Sequence, residues 1–294
     1  MDARSRFHRA RTFTVDYGRG RLDEISLFDV GILESAAYAR EQVEMLSSAG
    51  TLPVAYLSCL ESGEHLSHHG AVKPQDYLRL RGGRVFKPEF NTWVMDPRSP
   101  NWRAIVCRVA AEVLECKAFC GLFLDTIDDA EDPSLPLEMR REVAAATSTL
   151  VSQIRAAHPE AILIQNRGLN WVLAHTAPLV DGVCWESFAW PLEPGSQDSC
   201  WVAARLRWIL DLKRRHGFRV MLLGCPNRND SEAAVKALCR QHGFMYYAAP
   251  GSYEAGVNVS CAQPRIVQEF NPKPIASRYI ARNTCAAALL DRFS

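Results

Sequence analysis

Two acids close short apolar runs in this chain. Asp125 ends Gly121-Leu-Phe-Leu-Asp125, and Glu186 ends Asp181-Gly-Val-Cys-Trp-Glu186. If both runs are strands of one parallel sheet, the two carboxyls arrive on the same rim. Such a pair is what glycosidic bond cleavage requires: one carboxyl protonates the departing oxygen while the other supports or attacks the cationic sugar carbon. A lone acid at a strand end more often caps a loop or pairs with a base such as Arg167. Two of them, with Asn166 closing a third run between them, are better explained by a site.

Polar side chains recur wherever an apolar run stops. They make Asp16, Tyr17, Tyr56, Glu61, Asp128, Asn166 and Tyr247 candidates for contacting a substrate beside the acid pair. Trp185 and Trp190 flank Glu186, and aromatic faces suit stacking on sugar rings, although a tryptophan is as readily core. His65, His68 and His69 lack an HExxH-type frame, and Cys116 and Cys120 lack a second ligand pair, so no metal is expected. There is no GxxxxGK[ST] loop and no dinucleotide fingerprint opening a helix, so nucleotides are disfavoured. A GxSxG elbow is also missing, which speaks against a serine hydrolase.

The elements that must position these groups are legible as alternation. Eight apolar runs rich in β-branched and aromatic residues read as strands: 13–16, 28–33, 53–58, 121–125, 161–166, 182–186, 219–224 and 244–248. Nearly continuous apolar strands are buried on both faces, as in a parallel sheet covered by helices. Helical spacing over 36–48, 101–116, 137–157, 201–216 and 231–242 supplies the covering layer, with Gly217 and Gly243 as stops. The expectation is a single-domain α/β (β/α)8 barrel over residues 13–294, its last outer helix drawn from the tail after Pro272. Residues 21–26 are too short for a full outer helix between the first two strands. The long stretch from Glu61 to Asn101, broken by glycines and prolines, is expected to rise from the functional rim, with a strand near Trp93–Asp96. Residues 1–12, with Arg4, Arg6, Arg9 and Arg11, read as a basic leader that need not be ordered.

Whole-chain properties narrow the partners. In 294 residues, 34 Lys and Arg balance 33 Asp and Glu, so a net charge of +1 gives no electrostatic case for nucleic acid or an anionic membrane. No apolar run approaches the roughly 18 residues of a membrane span. Ten cysteines scattered through apolar runs, with no secretory signal pattern at the start, point to a reducing, cytoplasmic setting. Nothing in the sequence indicates an oligomeric state.

Five segments in order carry a family resemblance: Val54-Ala-Tyr56-Leu-Ser58 with Glu61, Trp93-Val-Met-Asp96 with Trp102-Arg103, Gly121-Leu-Phe-Leu-Asp125 with Asp128, Asn166-Arg-Gly168, and Val180-Asp-Gly182 with Glu186-Ser187. The chain resembles glycoside hydrolase family 114, the endo-α-1,4-polygalactosaminidase-like barrels, over about residues 13–260. The resemblance implies a cofactor-free barrel acting on α-linked amino-sugar polymers, with the family's two acids carried onto Asp125 and Glu186. Similarity to other α-acting barrels implies Asp125 as nucleophile and Glu186 as acid/base, hence a retaining enzyme. Leu60 and Cys120 depart from the family's usual Gly and Asp, and many relatives are secreted. Two rival functions stand beside this one, the first of them favoured by those departures. One is a carbohydrate-binding barrel that has lost hydrolysis; the other is a barrel lyase or isomerase acting on a small acid or sugar.

Overall fold

A computed structural model describes residues 2–188, 197–224 and 232–262. The eight expected runs are its principal strands: β1 (Phe13–Asp16), β2 (Val30–Leu33), β3 (Leu52–Ser58), β4 (Gly121–Asp125), β5 (Ile162–Asn166), β6 (Gly182–Glu186), β7 (Arg219–Gly224) and β8 (Met245–Ala248). They lie side by side in chain order, every pair parallel. The result is a nearly closed (β/α)8 barrel.

Alternation along each strand divides the apolar residues into two cores. Val15, Ile32, Val54, Phe123, Ile164, Cys184, Leu223 and Tyr247 fill the barrel interior. Their strand neighbours Leu33, Ala55, Leu122, Leu124, Leu163, Val183 and Leu222 face outward into the second core. Burial on both faces explains why the strands read as continuous apolar runs. Gly121 lets β4 and β5 approach closely, because a Cβ there would lie 2.4 Å from the Ile162 carbonyl oxygen.

Outside the sheet run α1 (Ala3–Arg9), α2 (Leu22–Ile25), α3 (Arg40–Ser48), α4 (Pro100–Ala111), α5 (Leu137–Ala157), α6 (Trp171–Thr176), α7 (Gln197–His216) and α8 (Glu232–His242). In α5 the buried residues Val143, Ala144, Thr147, Leu150, Val151 and Ile154 recur at helical spacing, giving one stripe against the sheet. Ser99 caps α4 and Pro100 stands at its first position, where a missing N–H costs nothing. As its short connection required, α2 is a single turn. The stretch after β3 folds into a small antiparallel sheet of 61–62, 92–94 and 86–87, so the strand expected near Trp93 begins at Thr92. The tail helix expected after Pro272 lies outside the described residues.

The expected basic leader is instead an ordered helix. Asp2 caps α1 by accepting from Ser5 N–H, and Phe7 is wholly buried in the interior core. Composition hid this, because order comes from distant partners. Arg6 reaches the Gly50 carbonyl at 2.8 Å, and Arg4 reaches Asp181 at 2.8 Å. A Cβ on Gly182 would lie 2.8 Å from the Phe7 ring. Asp181 is the hub of this end: only 1% exposed, it also binds Arg155 at 2.6 Å and accepts from Leu163 N–H at 3.0 Å. Removing one member of a buried ion pair leaves the other charge desolvated, at about 3–5 kcal/mol. Asp181→Ala is therefore expected to lower stability by about 3 kcal/mol or more in denaturant unfolding. An unchanged midpoint would contradict this role.

Candidate active site

β4, β5 and β6 deliver Asp125, Asn166 and Glu186 to one rim. Each follows an inward residue at the strand period of two: Phe123, Ile164 and Cys184. Each also precedes a left-handed residue, with φ of 60° at Thr126, 53° at Arg167 and 54° at Ser187. Non-glycine residues adopt that region at a cost of about 1 kcal/mol or more. Three in corresponding places turn the chain away sharply and leave each preceding side chain at the mouth. The turn at Thr126 is itself held: its Oγ1 accepts from Leu60 N–H at 2.8 Å and donates to the Asp125 carbonyl at 2.7 Å.

The three side chains meet through one atom. Asn166 Nδ2 donates to Asp125 Oδ1 at 2.6 Å and to Glu186 Oε2 at 2.5 Å. The two carboxylate oxygens thus lie no farther apart than the sum of those bonds, about 5.1 Å, within the carboxyl spacing of double-displacement glycosidases. The opposite amide orientation would turn an oxygen onto both carboxylates. In the orientation found, Asn166 Oδ1 is buried without a protein partner.

Three tyrosines close the other side. Tyr56 stands beside Asp125, and Tyr253 donates to Glu186 Oε1 at 2.6 Å. Tyr17 stands between them, its ring edge-on to Tyr56 at 5.0 Å and to Tyr253 at 5.3 Å. Burial, followed by the neighbouring carboxylates, pushes the phenols of Tyr56 and Tyr253 far up, so both stay protonated. Asp125, Glu186 and all three tyrosines keep partial solvent access, so the pocket is reachable.

Comparison with known proteins agrees with this geometry. The family described as Glycoside-hydrolase family GH114 matches residues 3–193. The chain belongs to family GH114. Among solved structures it is similar to the glycoside hydrolase domain of PelA from Pseudomonas aeruginosa, at 26% identity and a TM-score of 0.68, covering 84% of this chain and 98% of that one. It shares its fold with Ega3 of Aspergillus fumigatus, solved in complex with galactosamine, at 12% identity and a TM-score of 0.61 over 85% of this chain and 94% of that one. A curated relative, the uncharacterized protein MJ1477 of Methanocaldococcus jannaschii, is 25% identical over 99 residues, 33% of this chain but only 28% of that protein.

Of the residues expected at the GH114 site, Asp125, Glu186, Asn166, Tyr17 and Tyr56 are brought together. Asp128 sits at the rim, paired with Arg167 at 3.0 Å. Glu61 is buried within the small sheet, where Thr92 donates to it at 2.5 Å. Leu60 shows no positive φ, so the family's glycine is not needed to present Glu61.

Three expected contacts fall elsewhere. Trp185 neighbours Glu186 on the strand and so takes the opposite face, buried against Phe188 and Trp201. Asp16 likewise turns outward and is wholly buried, bonded by Arg21 at 2.5 Å and by Tyr38 at 2.7 Å. Tyr247 faces inward but has no exposure, its ring beside Phe13 and Phe28 and its oxygen accepting from Asn258 N–H. Trp190 lies outside the described residues.

Sequence reasoning missed Tyr253, in a Gly/Ser-rich loop after β8 with no pattern marking it. It also missed Asp129, which pairs with Lys87 at 2.9 Å. Burial and the nearby Glu61 charge push Asp129 up to about 8, against the opposing pull of Lys87.

Asp125 is raised to about 6, first by burial and then by the Glu186 charge, with the Asn166 bond opposing. A carboxylate whose folded pKa is raised costs stability when ionised. The cost is absent below the unfolded value of 3.8 and fully present above about 6. Asp125→Asn should therefore stabilise the fold at pH 7 by up to about 3 kcal/mol, a gain that shrinks as pH falls toward 4. Thermal unfolding across that range checks it; a loss of stability at pH 7 would contradict it.

Proposed function

We propose that this chain is a retaining glycosidase acting on α-linked amino-sugar polymers, with Asp125 as nucleophile and Glu186 as acid/base. The observation that carries the reading is the single Asn166 nitrogen bonded to both carboxylates, which holds them closer than the wide gap of inverting glycosidases. In the first step Asp125 attacks the anomeric carbon while Glu186 gives its proton to the departing glycosidic oxygen. In the second, Glu186 takes a proton from water, the water oxygen bonds the anomeric carbon, and the Asp125 ester bond breaks. The proton returns to Glu186 and the sugar leaves with its original configuration.

With its value near 6, Asp125 is about nine-tenths ionised at pH 7, as a nucleophile must be. Asp128 adds a carboxyl at the rim, paired with Arg167. The amino-sugar reading is supported by the galactosamine bound by Ega3, which shares this fold.

Amino-sugar oligomers provide the test, read by release of reducing ends. Asp125→Asn and Glu186→Gln should each lower turnover by about 10³-fold or more while remaining folded. Because the nucleophile must be ionised, kcat/KM of the natural chain should fall as pH drops below about 6. Turnover surviving in both variants would remove the mechanism. Binding of the oligomers without any product from the natural chain would leave a carbohydrate-binding barrel instead.

A further inference from the structure

Tyr253 performs two tasks with one residue. Among the described residues, β1 and β8 share no strand pairing, so the barrel has a seam. Above it, Tyr17 N–H donates to the Tyr253 carbonyl at 2.8 Å, and Arg21 donates to the next carbonyl, that of Glu254, at 2.7 Å. These bonds, with the Tyr17 ring against its own, fix the Tyr253 side chain over the pocket. Its phenol then reaches Glu186 Oε1, while Asn166 occupies Oε2.

The two partners of Glu186 differ in kind. An amide nitrogen only donates, whereas a phenol can donate or, with its hydrogen turned away, accept. Oε2 therefore always faces a donor, and only Oε1 has a partner that tolerates a proton. We infer that Tyr253 is a positioning residue for Glu186, directing the exchangeable proton to Oε1 and holding the ionised form by donation, with its own placement set by the seam. This rests on the acid/base reading of Glu186. The other groups facing Glu186 are Asp125 on β4, Asp128 in the loop after it, Cys184 below it on β6, and Tyr17 after β1. Among the described residues, none of these is hydrogen-bonded to Oε1.

Tyr253→Phe keeps the ring on Tyr17 and the backbone bond, so the fold should survive, as thermal unfolding will verify. Loss of a donor to the ionised carboxylate lets Glu186 keep its proton to higher pH. The expected result is a kcat about tenfold lower, KM within about twofold, and a basic limb of the pH profile displaced upward by about half to one unit. Fluorotyrosine at 253, a more acidic and stronger donor, should move that limb the other way. A raised KM with kcat intact would make Tyr253 a sugar contact, and an unmoved limb in both variants would make it merely structural; either overturns the inference. Infrared titration of the Glu186 carboxyl, taken as the difference from Glu186→Gln, reads the same displacement without turnover. If Glu186→Gln itself remains active, the acid/base reading fails, whatever the infrared titration shows for Tyr253→Phe.

Discussion

The amide nitrogen of Asn166, shared between two carboxylates, is the constraint on which the pocket depends. Two like charges about 5 Å apart repel by about 3 kcal/mol at an effective dielectric of about 20. Two charge-assisted hydrogen bonds, each contributing on the order of 1.5–3 kcal/mol, offset that repulsion. Burial first, and then the Glu186 charge, still keeps the Asp125 carboxyl well above its ordinary range. Asn166 keeps this arrangement with its own oxygen buried and without a protein partner.

The barrel exists at the opposite rim as a stability device and at this rim as a positioning device. Below, Asp181 gathers Arg4 and Arg155, and Phe7 seals the interior. Above, strain is tolerated: three consecutive barrel strands in the sheet end in left-handed turns on Thr126, Arg167 and Ser187. Rigidity from the lower end lets the upper end hold unfavourable backbone and crowded charge in place. The seam between β1 and β8 joins the two concerns, because Tyr253 that spans it also touches Glu186.

Strand ends were the most legible part of this chain, since a polar residue stopping an apolar run is visible without coordinates. That sufficed for Asp125, Asn166 and Glu186 and for the barrel order. It failed where direction mattered. Trp185 flanks Glu186 and Asp16 ends the first apolar run, but adjacent residues on a strand face opposite sides, so both turn away from the pocket that Glu186 and Tyr17 line. Tyr247 points the right way, yet interior packing takes its whole surface, which no local pattern announces. Tyr253 and α1 depend on partners more than 150 residues away: Tyr17 for the one, Asp181 for the other. Such contacts leave no periodic trace.

What the shared nitrogen finally demands is a stereochemical result. Proton NMR of the anomeric signal during the first turnovers on an α-linked amino-sugar oligomer reads it directly, before mutarotation scrambles the product. Carboxylates held this close require the α anomer to form first. Initial release of the β anomer would mean that a water attacks between the acids, and that the bridge through Asn166 does not govern the reaction.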